Sequence, residues 1–309
     1  MANASGDSGN SKQAPILIIG GTGFVGRNLV SALAGRPLRL VVRNPGRHAG
    51  LAGEHVEIVV GDITDRESLL RAATGCSAAI NLVAIIKEDG AATFDGIIRQ
   101  GTVNAVEAAK QVGVPRFIQM SAMGAMDNPA FPYMQTKFQA EEAVKGSGLA
   151  WTIFRPSVIF GPGDEFINTL AKLVKLAPVI PVVGTGKSKF QPVSVKEVAE
   201  CFVRALDDSK TVGQTYDLGG PDTLEYSQLL DVTAAKLGKK KLKVNVPIAL
   251  MRPIVKLSKP LPAALRPPVT EEQLKMLSLD NCSANSATSR LIGRAPLRLQ
   301  DGIDYIVSG

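Results

Sequence analysis

Tyr133 and Lys137 stand four residues apart in the segment FPYMQTKFQAEEAVKG, so a helix there presents both on one face. Pro132 suits a first helical position and Gly146 a helix end, and the spacing predicts that helix between them. A phenol titrates near pH ~10 in water and is a poor base at neutrality. A neighbouring ammonium and the positive end of a helix both favour phenolate, so the pair could exchange a proton with a hydroxyl or a carbonyl. The same spacing also arises by chance on exposed helix faces. Its place in the fold decides between the two.

A glycine cluster is the more specific feature. In ILIIGGTGFVGRNLV an apolar run meets Gly20, Gly21, Thr22, Gly23, Phe24, Val25 and Gly26, and helical spacing follows. Gly20, Gly23 and Gly26 fit G-x-x-G-x-x-G, while Gly21, Gly23 and Gly26 fit G-x-G-x-x-G. Either register leaves glycine where a turn leaves a strand, where a phosphate approaches main-chain N–H groups, and where the helix packs closely on the sheet. The unpaired N–H groups of a helix start suit a pyrophosphate.

At the end of the next apolar run, LVVRNPGRH carries Arg43 and Arg47 and no carboxylate. An acid there would accept ribose hydroxyls; two guanidinium groups match a ribose 2′-phosphate instead. The expected cofactor is therefore NADP(H), with NAD(H) as the alternative. In VVGDITD, Asp62 and Ile63 fall where a third strand should end and could border an adenine. Asp62 equally suits the N-cap of the following helix.

These residues need elements to hold them. Apolar runs at 16–19, 38–42, 56–60, 78–83, 116–120 and 151–154 alternate with helix-periodic segments, as at Val25, Leu29 and Leu33 or Val103, Val106 and Ala109. Strict alternation implies a parallel sheet with helices on both faces, a doubly wound α/β fold over 15–156. Beyond Pro156 the rhythm changes. Helices are expected at 166–176, 196–206 and 226–237, with one more sheet strand at 214–220 returning to the first domain. The rest of 157–309 reads as a smaller C-terminal lobe for a substrate or partner.

Composition narrows the class. The chain has 309 residues, 45% apolar and 20% charged, enough for a large core. Cys76, Cys201 and Cys282 are far apart and odd in number, which fits a reducing compartment without a disulfide framework or metal site. Residues 1–14 read as a loose polar tail without a secretory or transit pattern. No apolar run reaches bilayer-spanning length, so the expected location is cytoplasmic, with a peripheral position at the inner face of a membrane as the alternative. A net charge of +7 admits anionic partners without choosing among them.

Taken together, GGTGFVG, GDITD, NLVA, QMSAMGA, the Tyr133/Lys137 pair and FRPSVIFGPGD resemble an extended or atypical short-chain dehydrogenase/reductase of the epimerase/dehydratase type. WTIFRPSVIFGPGDEFINTLAKL, KFQPVSVKEVAE and RPPVTEEQLKMLSLDN resemble the branch that holds the Rossmann-fold accessory subunit of respiratory complex I and its bacterial relatives. The resemblance covers 15–281. It implies a Rossmann fold, Tyr133 as acid/base, Lys137 as its activator and ribose ligand, and Ser121 as the hydroxyl that orients the reacting oxygen; the neighbouring register leaves Ala122 there instead. It also implies that Leu82, Val83 and Ala84 line the cofactor and that Pro156 and Val158 sit beside the nicotinamide. Where related chains have an asparagine, this one has Ile98.

The resemblance leaves two functions open. One is hydride transfer to or from a carbonyl, alcohol or quinone-related small molecule. The other is a non-catalytic, nucleotide-stabilised structural or assembly subunit of respiratory complex I or another membrane complex. His48 and His55 are read as surface residues rather than a base or metal ligands. KLGKKKLK carries five lysines in eight residues, expected to be a solvated helix end or loop, with anionic lipid as a candidate target. The apolar, basic, proline-broken stretch 247–268 is expected to cover the substrate cleft or to rest against a membrane or larger complex. Nucleic acid is not expected, since aromatics form 5% of the chain and none interleaves with the lysines.

Overall fold

The computed structural model describes residues 13–247, 249–250 and 270–307. Most of the expected tail and most of the stretch 247–268 lie outside these residues. The first half alternates as the apolar periodicity predicts, except that a short 3-10 turn, Pro45–Leu51, and no α-helix joins the second strand to the third: β1 (Ile16–Ile19), α1 (Phe24–Ala32), β2 (Leu38–Val42), β3 (Val56–Val60), α2 (Arg66–Ala73), β4 (Ala78–Asn81), α3 (Gly101–Gln111), β5 (Arg116–Met120), α4 (Pro132–Lys145) and β6 (Ala150–Pro156). Then come β7 (Ile159–Phe160), α5 (Phe166–Leu176), β8 (Val179–Val183), β9 (Lys189–Phe190), β10 (Val193–Ser194), α6 (Val195–Asp207), β11 (Gln214–Leu218), β12 (Leu224–Glu225), α7 (Tyr226–Lys236) and β13 (Leu242–Val246).

Seven strands form one sheet in the order β3-β2-β1-β4-β5-β6-β11, and every pair is parallel. All carboxyl ends therefore share one edge. The order reverses between β1 and β4, and a crevice outside that edge is where such sheets take ligands. β1 is buried on both faces, as four consecutive aliphatic residues require. Ile16 and Ile18 enter one core with Val25 and Leu29 of α1, while Leu17 and Ile19 enter the opposite core with Leu69 and Val106.

Two strands of the first domain differ in extent from the periodicity. β4 stops at Asn81, whose Oδ1 accepts the Val83 N–H at 3.1 Å and turns the chain. β6 extends through Pro156 because β11 pairs along its whole outer edge. The return to the first domain is also larger than one strand. Val195, Val198, Ala199 and Phe202 of α6 pack in the core that holds α1, so α6 completes that helical layer. Ile292 joins that core too, while other C-terminal residues build a separate one from Ile167, Leu170, Phe190, Tyr226 and Leu229.

Candidate nucleotide and proton-transfer site

The glycine loop joins β1 to α1 at the switch point. Gly20 has φ +89°, a left-handed backbone that a side chain would strain. A Cβ on Gly26 would stand 2.2 Å from the Gly20 carbonyl oxygen, so this glycine lets helix and loop touch. Gly23 is different. A Cβ there would meet only the Gly20 oxygen at 3.4 Å, ordinary contact, so the protein itself does not require a bare backbone at that position. Gly23 is also the N-cap of α1, with no side-chain cap and no acid in the first turn. An exposed glycine over uncapped helix N–H groups fits a diphosphate. Arg27 Nη1 donates to the Thr22 carbonyl at 2.9 Å, Phe24 is half-buried, and Val25 is a core residue.

Arg43 follows β2 directly and Arg47 lies in the short helical turn Pro45–Leu51. Both are exposed, and neither makes an ion pair or side-chain hydrogen bond among the described residues. Asp62 Oδ1 accepts from the Thr64 N–H at 2.8 Å and the Thr64 hydroxyl at 2.7 Å, closing a local turn. The cap of α2 is Asp65 instead, which accepts from the N–H groups of Glu67 and Ser68. Ile63 is buried against the start of α3, where a Cβ on Gly101 would stand 2.6 Å away. Leu82 continues β4 through its N–H to the Ile19 carbonyl at 2.9 Å; Val83 faces Gly20, and Ala84 packs with Phe94 and Tyr133.

α4 starts at the same edge, after β5. Tyr133 is its second residue, with its ring edge-on to Phe94 at 5.6 Å. Its hydroxyl has no hydrogen bond among the described residues, and burial pushes its pKa up to about 12. Lys137 is 1% exposed and donates from Nζ to the Met120 carbonyl, the last of β5, at 3.1 Å. Burial pushes its pKa down to about 8, against the opposing pull of the Glu141 carboxylate. The expected stabilisation of phenolate is thus reversed: loss of solvent raises the Tyr133 pKa, and the same loss weakens the charge on Lys137.

No pattern in the sequence points to the partner that Ser121 takes. Its hydroxyl donates to Glu141 Oε1 at 2.6 Å. Glu141 is fully buried and also accepts Arg155 Nε at 2.7 Å and Nη2 at 2.5 Å. Tyr133, Lys137 and Glu141 repeat at i, i+4 and i+8 along α4, the one signal that could have found the third. Ile98 is completely buried with Phe94 and Ala140, a packing residue in the π-helical turn Asp95–Gln100 before α3. The Pro156 carbonyl accepts the Met123 N–H at 3.0 Å, and Val158 packs on the C-terminal core.

A family model described as NAD(P)H-binding matches residues 20–209. With the parallel sheet and the glycine loop, this makes the chain a member of the NAD(P)-binding short-chain dehydrogenase/reductases of the epimerase/dehydratase type. It is 33% identical over 238 residues to the mitochondrial NADH dehydrogenase [ubiquinone] 1 alpha subcomplex subunit 9 of Arabidopsis thaliana, covering 74% of this chain and 59% of that protein. It is 34% identical over 190 residues to a ceramide reductase of Caulobacter vibrioides, covering 61% of this chain and 59% of that protein. The chain thus spans about three fifths of the length of these two relatives. In fold it matches the NADPH-dependent quinone oxidoreductase of Escherichia coli complexed with NADPH, at TM-score 0.75 and 21% identity over 94% of this chain and 99% of that one.

Proposed function

We propose that the chain binds NADP(H) across the β1–β4 switch point and reduces a carbonyl or quinone-related small molecule, with Tyr133 as proton donor and Lys137 as its partner. The observation that carries this reading is the Tyr133/Lys137 pair on one face of α4, with Tyr133 half-buried and Lys137 buried and tied through the Met120 carbonyl to the same sheet edge as the glycine loop. When bound, the cofactor would supply or accept the hydride.

Gly20 to Gly26 would receive the diphosphate on bare N–H groups, and Arg43, with Arg47 near it, would meet the 2′-phosphate. NAD(H) is the alternative, since the family takes both forms. Asp62, Ile63, Leu82, Val83 and Ala84 would border the adenine and ribose side, and Pro156 and Val158 the nicotinamide. Lys137 would also hold the nicotinamide ribose.

A phenol pushed up to about 12 keeps its proton at neutrality, so in the reductive sense the side chain hands a proton to an oxygen that gains negative charge, and the reverse step returns it. Ser121 acts here through Glu141, as part of the support beneath the pair.

A second reading is a nucleotide-stabilised structural or assembly subunit of respiratory complex I or another membrane complex, peripheral to its membrane. It is favoured by the commitment of the Ser121 hydroxyl to Glu141, by the apolar Ile98, and by the relative named as a mitochondrial NADH dehydrogenase subunit. No described helix is long and apolar enough to cross a membrane.

The test is turnover of NADPH against a panel of quinones and carbonyl compounds, followed by the absorbance of the reduced nicotinamide. Tyr133→Phe is expected to lower turnover by about 100-fold or more while nucleotide still binds, and Ser121→Ala by less than ~10-fold. Tightly held, unreactive NADPH across the panel would favour the structural reading.

A further inference from the structure

We propose that the outer face of β8 and β13, with the end of α5, docks on an anionic lipid bilayer. Leu176, Val179, Leu242 and Val244 are four of the ten exposed large apolar side chains among the described residues, so exposed apolar surface is concentrated here. β8 and β13 pair in parallel with Leu242 opposite Val179, which puts both on one face; Val244, two residues on, joins them. The alternate residues Ile180 and Val182 turn inward and are 1% exposed. Leu176 at 83% and Leu242 at 77% exposure project from the surface.

Lys239, Lys240 and Lys241 directly precede Leu242, at the end of this face where α5 stops. Lys239 Nζ donates to the Lys175 carbonyl at 3.2 Å and Lys241 Nζ to the Ala177 carbonyl at 2.6 Å, so both cap the end of α5. Lys240 makes no ion pair among the described residues, whereas Lys236 pairs with Asp304 and Lys243 with Asp231 at 2.6 Å. Beside them lies a depression of about 460 Å³ with Ile180 and Ala234 in its wall and Lys239, Lys240 and Lys241 around it. Its one acid, Asp231, is the group paired with Lys243. Ammonium groups over an apolar wall match a phosphodiester headgroup with its glycerol and first methylenes.

Projecting side chains suit a fluid interface, which closes around them, better than a rigid protein, which would need a matching groove. The lysine-rich run is part turn and part strand, so it presents charge from a fixed position. This face is separate from the glycine loop, and the proposal stands or falls independently of catalysis.

The full chain would be sedimented with vesicles of phosphatidylcholine alone and with a quarter phosphatidylglycerol, at low and high salt. Binding is expected to the anionic vesicles only, and to fall with salt. Lys240→Gln with Lys241→Gln should lower partitioning roughly 30-fold, since each lysine near such a surface contributes about fivefold. Because Lys241 also caps α5, Leu242→Ser provides an independent check: its side chain is largely in solvent, so folding is unaffected, and partitioning should fall about tenfold. NADPH binding should be unchanged in all variants, which keeps this test apart from that of the nucleotide site. No binding at low salt, equal binding to neutral vesicles, or a Leu242→Ser variant that binds like the unaltered protein would overturn the proposal.

Discussion

The Ser121 hydroxyl and the Glu141 carboxylate are 2.6 Å apart, which joins the end of β5 to the middle of α4 through a charge that no solvent reaches. Glu141 holds Arg155 of β6 with its other contacts. One buried carboxylate therefore fixes three elements around Lys137.

Glu141→Gln removes this charge and leaves the Arg155 guanidinium without its counter-ion. Breaking a buried pair costs about 3–5 kcal/mol, and the low end applies because Arg155 keeps a quarter of its exposure. The denaturant midpoint should fall accordingly. Glu141 also holds the Lys137 pKa up against burial, so any alkaline limb that reflects Lys137 should move to lower pH in the variant. A profile at the same pH in both proteins would separate Glu141 from the pair.

Gly23 and Gly26 should respond in opposite ways to alanine. At Gly26 the new methyl would overlap the Gly20 carbonyl and the Gly21 backbone, forcing α1 off the loop and lowering stability by about 1–3 kcal/mol or more. At Gly23 the methyl has room, so thermal unfolding should hardly change while NADPH binding weakens by about tenfold or more. Unfolding curves and nucleotide titrations on the two variants measure both effects. A Gly23→Ala protein that binds like the unaltered chain would remove the phosphate from this loop.

Lys137 gives a pH signature in stability. Its folded pKa is pushed down to about 8 from an ordinary 10.5, so between these values the unfolded chain holds a proton that the native chain lacks. Stability contributed by this group therefore rises with pH across that window, and the penalty is at full size below pH 8. Lys137→Met should be more stable than the unaltered protein at pH 7, by about 3 kcal/mol, and the gap should close near pH 10.5. Urea unfolding at several pH values measures the gap, and a constant difference would contradict it.

Local patterns carried much of the fold. The aliphatic run of β1, the glycines behind it and the amphipathic α5 (Phe166–Leu176) all begin and end where their own residues dictate. The Ser121–Glu141–Arg155 cluster was not legible, because it depends on the packing of α4 against the ends of β5 and β6, which no periodicity reports. In sequence Glu141 reads as one more charge on an exposed helix face. β13 was hidden for another reason: in LKVNV the flanking lysines outweigh the alternation of Leu242, Val244 and Val246, and the segment reads as a charge run. The position of Arg43, by contrast, followed directly from the end of a strand.

The central claim is that the glycine loop takes the diphosphate and Arg43 the phosphate on the adenosine ribose. Titration of the protein with NADPH and with NADH, followed by nicotinamide fluorescence, tests it most directly when repeated on Arg43→Ala. The account predicts that NADPH binds more tightly than NADH, and that the variant loses about 1.5–3 kcal/mol for NADPH, roughly 10- to 100-fold, with little change for NADH. Equal affinity for the two nucleotides in the unaltered protein, or equal weakening of both in Arg43→Ala, would contradict it.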